Sequence, residues 1–469
     1  MVIANVLAAL PGEKDFRTVD ILIRGEKIAK ITAAGSLGAA GGPGAAEGHG
    51  AEEIFHADGL MMFPGAIDPH VHFDEPGFTH REDFLHGTSE AARGGVTTIV
   101  DMPCTSLPPV TSLAALEGKL AIVSKNAVVD FAFFGGVNGL ADEAGIAECV
   151  ATLTPWVVGF KCYTISGMDT FTAVTPEQFA FACTRCAKAG RPLLLHAEDP
   201  AVIAEAQKKL EIARGSAAPT WKDYYASRPM EAEIEACRKA VKSAGDAIST
   251  LHVVHVGTAE AAAIVVGAGA SCETCAHYLA FDEEDFEGRR PGLGPALKTA
   301  PPVKGPEQKA LLWKQLAGGE ISFVTSDHAG APAYEKFTGD PLTAYGGIPG
   351  TGTLFPYLLS EGLFAGRLGL QRFLEATSGA AARRYGLSGG KGSLEPGKDA
   401  DFVLVDPNAK EIVDPSTMFS KSRITPFAGM PLSGRILGTF VRGNRVFGGP
   451  GSAILVPPGS GKFIKWGYR

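Results

Sequence analysis

Eight short apolar runs recur along the middle of this chain, separated by stretches long enough for helices. That rhythm limits the fold more than any other feature. The runs are Phe63–His72, Val96–Pro103, Val129–Val137, Trp156–Tyr163, Pro192–Glu198, Leu251–Gly257, Ala270–Tyr278 and Ile321–Asp327. Helical patterns such as Asp83–Arg93, Pro176–Ala189, Glu231–Lys242 and Pro306–Ala317 lie between them. Apolar strands alternating with helices imply a parallel sheet covered on both faces. Eight strands are the number that closes such a sheet into a (β/α)8 barrel, with a doubly wound open sheet as the alternative.

The flanks read differently. Val19–Thr32 alternates polar and apolar residues around Gly25-Glu26, as a hairpin does. Residues 34–50 are nearly all Gly, Ala and Ser, a flexible surface loop. Past residue 390 short strands return: Glu395-Pro-Gly-Lys398 introduces Ala400–Val405, and Thr439–Phe447 forms a hairpin around Gly443-Asn444. Neither flank is large enough for a core of its own. Residues 1–62 and 390–469 are therefore expected to build one composite β-sandwich beside a distorted barrel spanning 63–389. A chain of 469 residues has room for both.

Composition removes several function classes. The net charge of −8 and the lack of a basic block argue against a nucleic-acid partner. No apolar run approaches the roughly 18 residues of a membrane span. The N-terminus lacks the pattern of a secretory signal, so a cytoplasmic location is expected. Eight cysteines are too dilute for a disulfide scaffold, and most, including Cys104 and Cys162, read as reduced core residues. Two C-x-x-C pairs, Cys183/Cys186 and Cys272/Cys275, lie too far apart for a zinc ribbon. The first reads as part of a helix ending at Gly190. The second lies in a strand, where residues three apart face opposite sides.

Active sites of a (β/α)8 barrel sit at the C-terminal ends of its strands. His70 and His72 end the first apolar run, Lys161 the fourth, His196 the fifth, His255 the sixth and Asp327 the eighth. In Asp68-Pro-His-Val-His72 the two histidines share one strand face. Two neighbouring imidazoles suit zinc or a similar cation. Lys161, in Val157-Val-Gly-Phe-Lys-Cys-Tyr163, lies among apolar residues, where an ammonium is costly. A neutral amine there can add CO2 to become an anionic carbamate whose two oxygens bridge two cations. His252 and His255 face opposite sides of their strand. His255 is nearer its end and is assigned to the metal, leaving His252 an outer-face or inter-element residue. Asp327 can take a proton from metal-activated water and pass it to a leaving amine. His328 points away. His49, His56, His80 and His86 read as surface or capping residues.

Together these motifs resemble the amidohydrolase superfamily and, within it, the cyclic amidohydrolases: allantoinase, hydantoinase/dihydropyrimidinase and dihydroorotase. The resemblance includes Asp68-Pro-His-Val-His72, Glu75-Pro-Gly77, Gly94–Thr98, Gly159-Phe-Lys161, Leu195-His196, His252–His255, Cys272–Tyr278, Ser326–His328 and Pro396–Asp401. It implies two divalent cations, usually zinc, bridged by carboxylated Lys161 (N6-carboxylysine) and a hydroxide. His70, His72 and Asp327 would hold the buried cation, and His196 and His255 the exposed one. The implied reaction is ring-opening hydrolysis of a small cyclic amide by a homo-oligomer, dimer or tetramer.

Dihydroorotases usually carry an arginine two positions after the second histidine and an asparagine after Met-Pro. Here those positions are Asp74 and Cys104. The hydantoinase tyrosine five residues after the lysine is Ser166, and the hydantoinase serine before Pro-Pro is Ala300. Tyr225–Pro229, Gly346–Ile348 and Gly461–Ile464 look most like the allantoinase branch, whose Ser-Pro-Cys after the aspartate is here Ala329–Ala331. Ser166, His277, Ala300 and Gly346 are the expected substrate-binding positions, with loops 290–305 and 331–352 as substrate lids. Two rivals are a single-metal deaminase and an inactive dihydropyrimidinase-like interaction protein.

Overall fold

The computed structural model describes residues 1–37, 53–288 and 293–469. Its centre is a ring of eight strands: β1 (Ala66–Val71), β2 (Val96–Asp101), β3 (Asp130–Phe133 and Gly135–Gly136), β4 (Phe160–Tyr163), β5 (Leu193–His196), β6 (Leu251–Val253), β7 (Ser271–Cys275) and β8 (Phe323–Thr325). Neighbours in sequence pair in parallel around the ring. The ring closes between β8 and β1, where Val71 pairs with His328 and the His72 amide donates to the His328 carbonyl at 2.8 Å. The open-sheet alternative falls with that closure.

Strand alternation builds two apolar layers. Val158, Leu194, Val254 and Phe323 pack together in an inner cluster. Phe160, Leu193, Leu195, Val253 and Val324 belong to the outer one, between strands and helices. The same alternation puts Lys161, between outer-layer Phe160 and Cys162, on the inner side, and His196 above Leu194. The helices start where their caps dictate. Asp83 accepts from the His86 amide to open Phe84–Arg93. A Thr175–Gln178 capping box opens Pro176–Ala189, which ends at Gly190 with φ 63°. Cys183 and Cys186 lie on that helix, and all eight cysteines are buried free thiols.

The terminal segments meet in one eight-stranded sheet. Met61–Pro64 is its seam, parallel to Val2–Ala8 and antiparallel to Phe402–Ile412. The apolar run expected over Phe63–His72 is thus divided between two sheets. The seam takes its first residues, and the barrel strand begins at Ala66. The Gly/Ala/Ser loop is described only to residue 37; the rest of it, with His49, lies outside the described residues.

Buried ions fasten the sheet to the barrel. Lys391 Nζ lies 2.5 Å from Asp130, 2.8 Å from Asp399 and 2.6 Å from Asp401. The chain then returns along β3: the Ile464 amide donates to Phe131, and its side chain joins the inner apolar layer beside Tyr385. Among the described residues no helix is long and apolar enough to cross a membrane.

Candidate metal centre and active site

Six side chains converge at the C-terminal mouth of the barrel. His70 lies in β1 and His72 one residue beyond it. Lys161 lies in β4, and His196 ends β5. His255 and Asp327 come two residues after β6 and β8, in left-handed backbone with φ 40° and 48°. Such conformations cost about 1–3 kcal/mol each in a non-glycine residue and persist where the surroundings enforce them.

An inner group consists of His70, His72 and Asp327. Their ligand atoms all lie within 4.8 Å of one another. Asp327 Oδ1 is 3.1 Å from His70 Nε2 and 3.3 Å from His72 Nε2. The far nitrogens are occupied. His70 Nδ1 is 2.6 Å from Glu273 Oε1, and His72 Nδ1 is 3.3 Å from Thr105 Oγ1. With the proton of His70 on Nδ1, its Nε2 lone pair faces a carboxylate oxygen. Those groups repel unless a cation lies between them, so the residues fit a metal.

An outer pair stands beside this group. His196 Nδ1 and His255 Nε2 face each other at 3.0 Å, and His196 Nε2 donates to Glu198 Oε2 at 3.0 Å. The His70 and His255 rings are 5.3 Å apart, so the two sets adjoin. Burial lowers His70, His196 and His255 below the ordinary imidazole value and favours the neutral, ligating form. Lys161 is fully buried, and among the described residues its Nζ has no hydrogen-bond partner. Burial brings the amine from 10.5 to about 8.

A cleft of about 720 Å³ opens above the cluster, lined by His72, Cys104, Tyr163, His196, His255 and Asp327 among others. Ser166, Ala300 and Gly346 also line it. The Ser166 hydroxyl is taken up locally, donating to Phe171 O at 2.6 Å and accepting from the Met168 amide. His277 is not a wall residue. It is buried against Tyr278, with ring centroids 4.2 Å apart and both nitrogens unpartnered. In the loop 331–352, Tyr345, Gly346 and Gly347 reach the cleft; residues 290–292 of the other loop lie outside the described residues.

Position refines two sequence readings. Cys104 is buried but lines the cleft, with Sγ 3.0 Å from Tyr163 Oη and 3.7 Å from His72 Nδ1. His252 does not lie on the outer face. Its Nε2 is 3.1 Å from Glu273 Oε2, and its ring stacks on inner-layer Phe323. Sequence reasoning missed Glu273, Glu198 and Tyr163. Only the alternation that put Lys161 inside could have flagged Tyr163, two residues further along β4. His86, His80 and His56 behave as surface or capping groups: His86 contacts Asp83, His80 contacts Glu335, and His56 is exposed. His328 is buried, with Nε2 3.2 Å from Glu82.

The amidohydrolase family model matches residues 61–446. The chain belongs to the amidohydrolase family. This amidohydrolase is 38% identical over 419 residues to an allantoinase of Rubrobacter xylanophilus, covering 88% of the chain and 89% of the relative. It is 32% identical over 452 residues to an allantoinase of Escherichia coli, covering 93% and 92%. Its structure resembles an L-hydantoinase (dihydropyrimidinase) from Arthrobacter aurescens, with a TM-score of 0.89, 30% identity and 99% coverage of both chains. A dihydropyrimidinase from Brevibacillus agri aligns with a TM-score of 0.86 at 27% identity, covering 99% and 98%. The chain is thus a metal-dependent hydrolase of the cyclic amidohydrolase type.

Proposed function

We propose that this amidohydrolase opens a cyclic ureide by hydrolysing a ring C–N bond, with allantoin as the first substrate to test. The observation that carries the reading is the convergence of four histidines and Asp327 around the buried, unpartnered amine of Lys161. The names of the curated relatives favour allantoin; those of the structural neighbours make hydantoin and dihydropyrimidines the next rings to try. Asp74 and Cys104, where dihydroorotases carry arginine and asparagine, count against a carboxylate-bearing ring.

In this reading His70, His72 and Asp327 hold an inner divalent cation, and His196 and His255 an outer one. Nitrogen-rich ligands suit zinc. The neutral Lys161 amine would add to CO2 and release a proton to solvent, and the resulting carbamate would complete the ligand set of both cations. Bound cations supply carbonyl polarisation and a more acidic water. The rest falls to the chain. Asp327 takes the proton of the attacking water on a carboxylate oxygen and passes it to the leaving ring nitrogen. Tyr163, whose hydroxyl has a soft thiol for a partner, donates to the carbonyl oxygen as it gains charge. Ser166, Ala300 and Gly346 meet the ring chiefly through their backbone.

The proposal includes the division into residues 1–62 with 390–469 and 63–389, and a homo-oligomer measurable by sedimentation. It also includes a cytoplasmic location, in keeping with eight unpaired thiols. The central experiment pairs metal analysis with a hydrolysis screen over allantoin, hydantoin, dihydrouracil, dihydroorotate and simple cyclic imides. Turnover of at least one ring by protein carrying two cations is expected. Inactivity on every ring with both cations present sinks the substrate class. Absence of bound cation, with no gain on adding zinc, favours an inactive interaction protein.

A further inference from the structure

The two halves of the cluster are supported from different parts of the molecule. The inner half rests on the barrel. Glu273, on β7, contacts His70 Nδ1 with one oxygen and His252 with the other. The outer half rests on a segment beyond the strands, the joint between the helices Trp221–Ser227 and Met230–Ala244. At this joint Arg228 Nε donates to Glu198 Oε1 at 3.0 Å, and its Nη2 donates to Glu198 Oε2. The same Oε2 accepts from His196 Nε2. Five residues on, Glu233 Oε1 accepts from the Gly257 amide at 2.8 Å, just after the left-handed His255. Lys304 Nζ donates to the Arg228 carbonyl at 3.0 Å and anchors the joint. Glu198, Glu233 and Lys304 are all buried.

These contacts give work to a motif that the chemistry left idle, the Tyr225–Pro229 segment, and to Glu233 on the helix after it. Fixing the proton of His196 on Nε2 leaves its Nδ1 lone pair facing His255. Holding the Gly257 amide fixes the turn that aims His255 back at His196. Both effects act on the outer pair, and neither touches His70, His72 or Asp327. We infer that Arg228 and Glu233 are positioning residues that clamp the outer cation site alone, so that the two cations can be lost independently. The inference rests on the two-cation reading proposed above.

The test uses full-length, zinc-loaded protein challenged with a chromogenic chelator, with zinc release followed in time. In Glu233→Ala one equivalent is expected to leave about 10–100-fold faster than in the wild type, the size of effect seen when support behind a metal ligand is removed. The second equivalent should leave at the wild-type rate. Glu233→Gln, which keeps an acceptor oxygen for the Gly257 amide, should recover much of the difference. Arg228→Lys, which keeps the charge but loses the fork, gives the same reading if Glu233→Ala does not fold. Unchanged release of both equivalents, or equal acceleration of both, overturns the clamp. Wild-type protein holding fewer than two equivalents overturns the two-cation reading itself.

Discussion

The reactivity proposed for Lys161 follows from surroundings that, among the described residues, offer its Nζ no hydrogen-bond acceptor. Only the neutral amine attacks CO2, and burial has brought its titration to about 8. Raising the pH through that value therefore raises the reactive fraction. Metal-free protein given zinc at fixed dissolved CO2 should regain activity roughly 25-fold faster at pH 8.5 than at pH 6.5. The regain is followed by initial rates after timed samples, and a flat profile would count against carbamate formation. Lys161→Ala should bind no bridged pair and show no regain; intact metal content and activity in this variant would favour a single-metal enzyme. Tyr163→Phe should lower kcat by about 100–1,000-fold with little change in KM, as when one oxyanion donor is lost. Steady-state kinetics on the best ring separate the two constants. The ligand candidates were legible because strand alternation and strand ends sort side chains without any knowledge of distant contacts. Glu273 and Glu198 were not, since a buried carboxylate's role depends on which strand lies beside it. Cys104 is the reduced core residue expected, but its place on the cleft wall was not legible for a related reason: an apolar neighbourhood in sequence does not say whether a thiol lies under a helix or beside a cleft.

At the scale of elements, the cleft wall is held by two buried lysines. Lys298 Nζ donates to the carbonyls of Leu342 and Ala344, and Lys336 Nζ to those of Tyr345 and Gly347. Tyr345, Gly346 and Gly347 line the cleft, so these bonds set its width. Lys336→Met removes two of the four bonds and should cost the loop about 1–3 kcal/mol of local stability. Faster amide exchange over residues 338–347 and a raised KM are the expected signs; unchanged exchange would show that Lys298 suffices. Helices were read closely because their caps are local: Pro176–Ala189 was expected at its observed bounds, and Asp83 proves to be the cap rather than the first turn. Strands were read less well. The run over Ala270–Tyr278 turns helical at Ala276, and the run over Val129–Val137 breaks at Phe134. Hydrophobic periodicity registers burial, and burial continues through a bend.

At the scale of the whole molecule, the junction between barrel and sheet depends on Lys391 amid three carboxylates. Lys391→Met leaves Asp130, Asp399 and Asp401 with fewer cations; among the described residues Asp130 keeps Arg442 as its cation. A loss of about 3–5 kcal/mol is expected, typical of breaking a buried ion network. Urea denaturation measures it, and a loss below 1 kcal/mol would mean that water replaces the lysine. The seam at Met61–Pro64 has a consequence for how the chain is made. Its partner strand, Phe402–Ile412, leaves the ribosome only after the entire barrel has been synthesised. At about 5–20 residues per second this leaves one edge of Met61–Pro64 unpaired for on the order of tens of seconds. Bare strand edges invite pairing with other chains. A nascent chain of this enzyme therefore needs either a slow, sheltered exit or a chaperone over that edge until its last strands arrive.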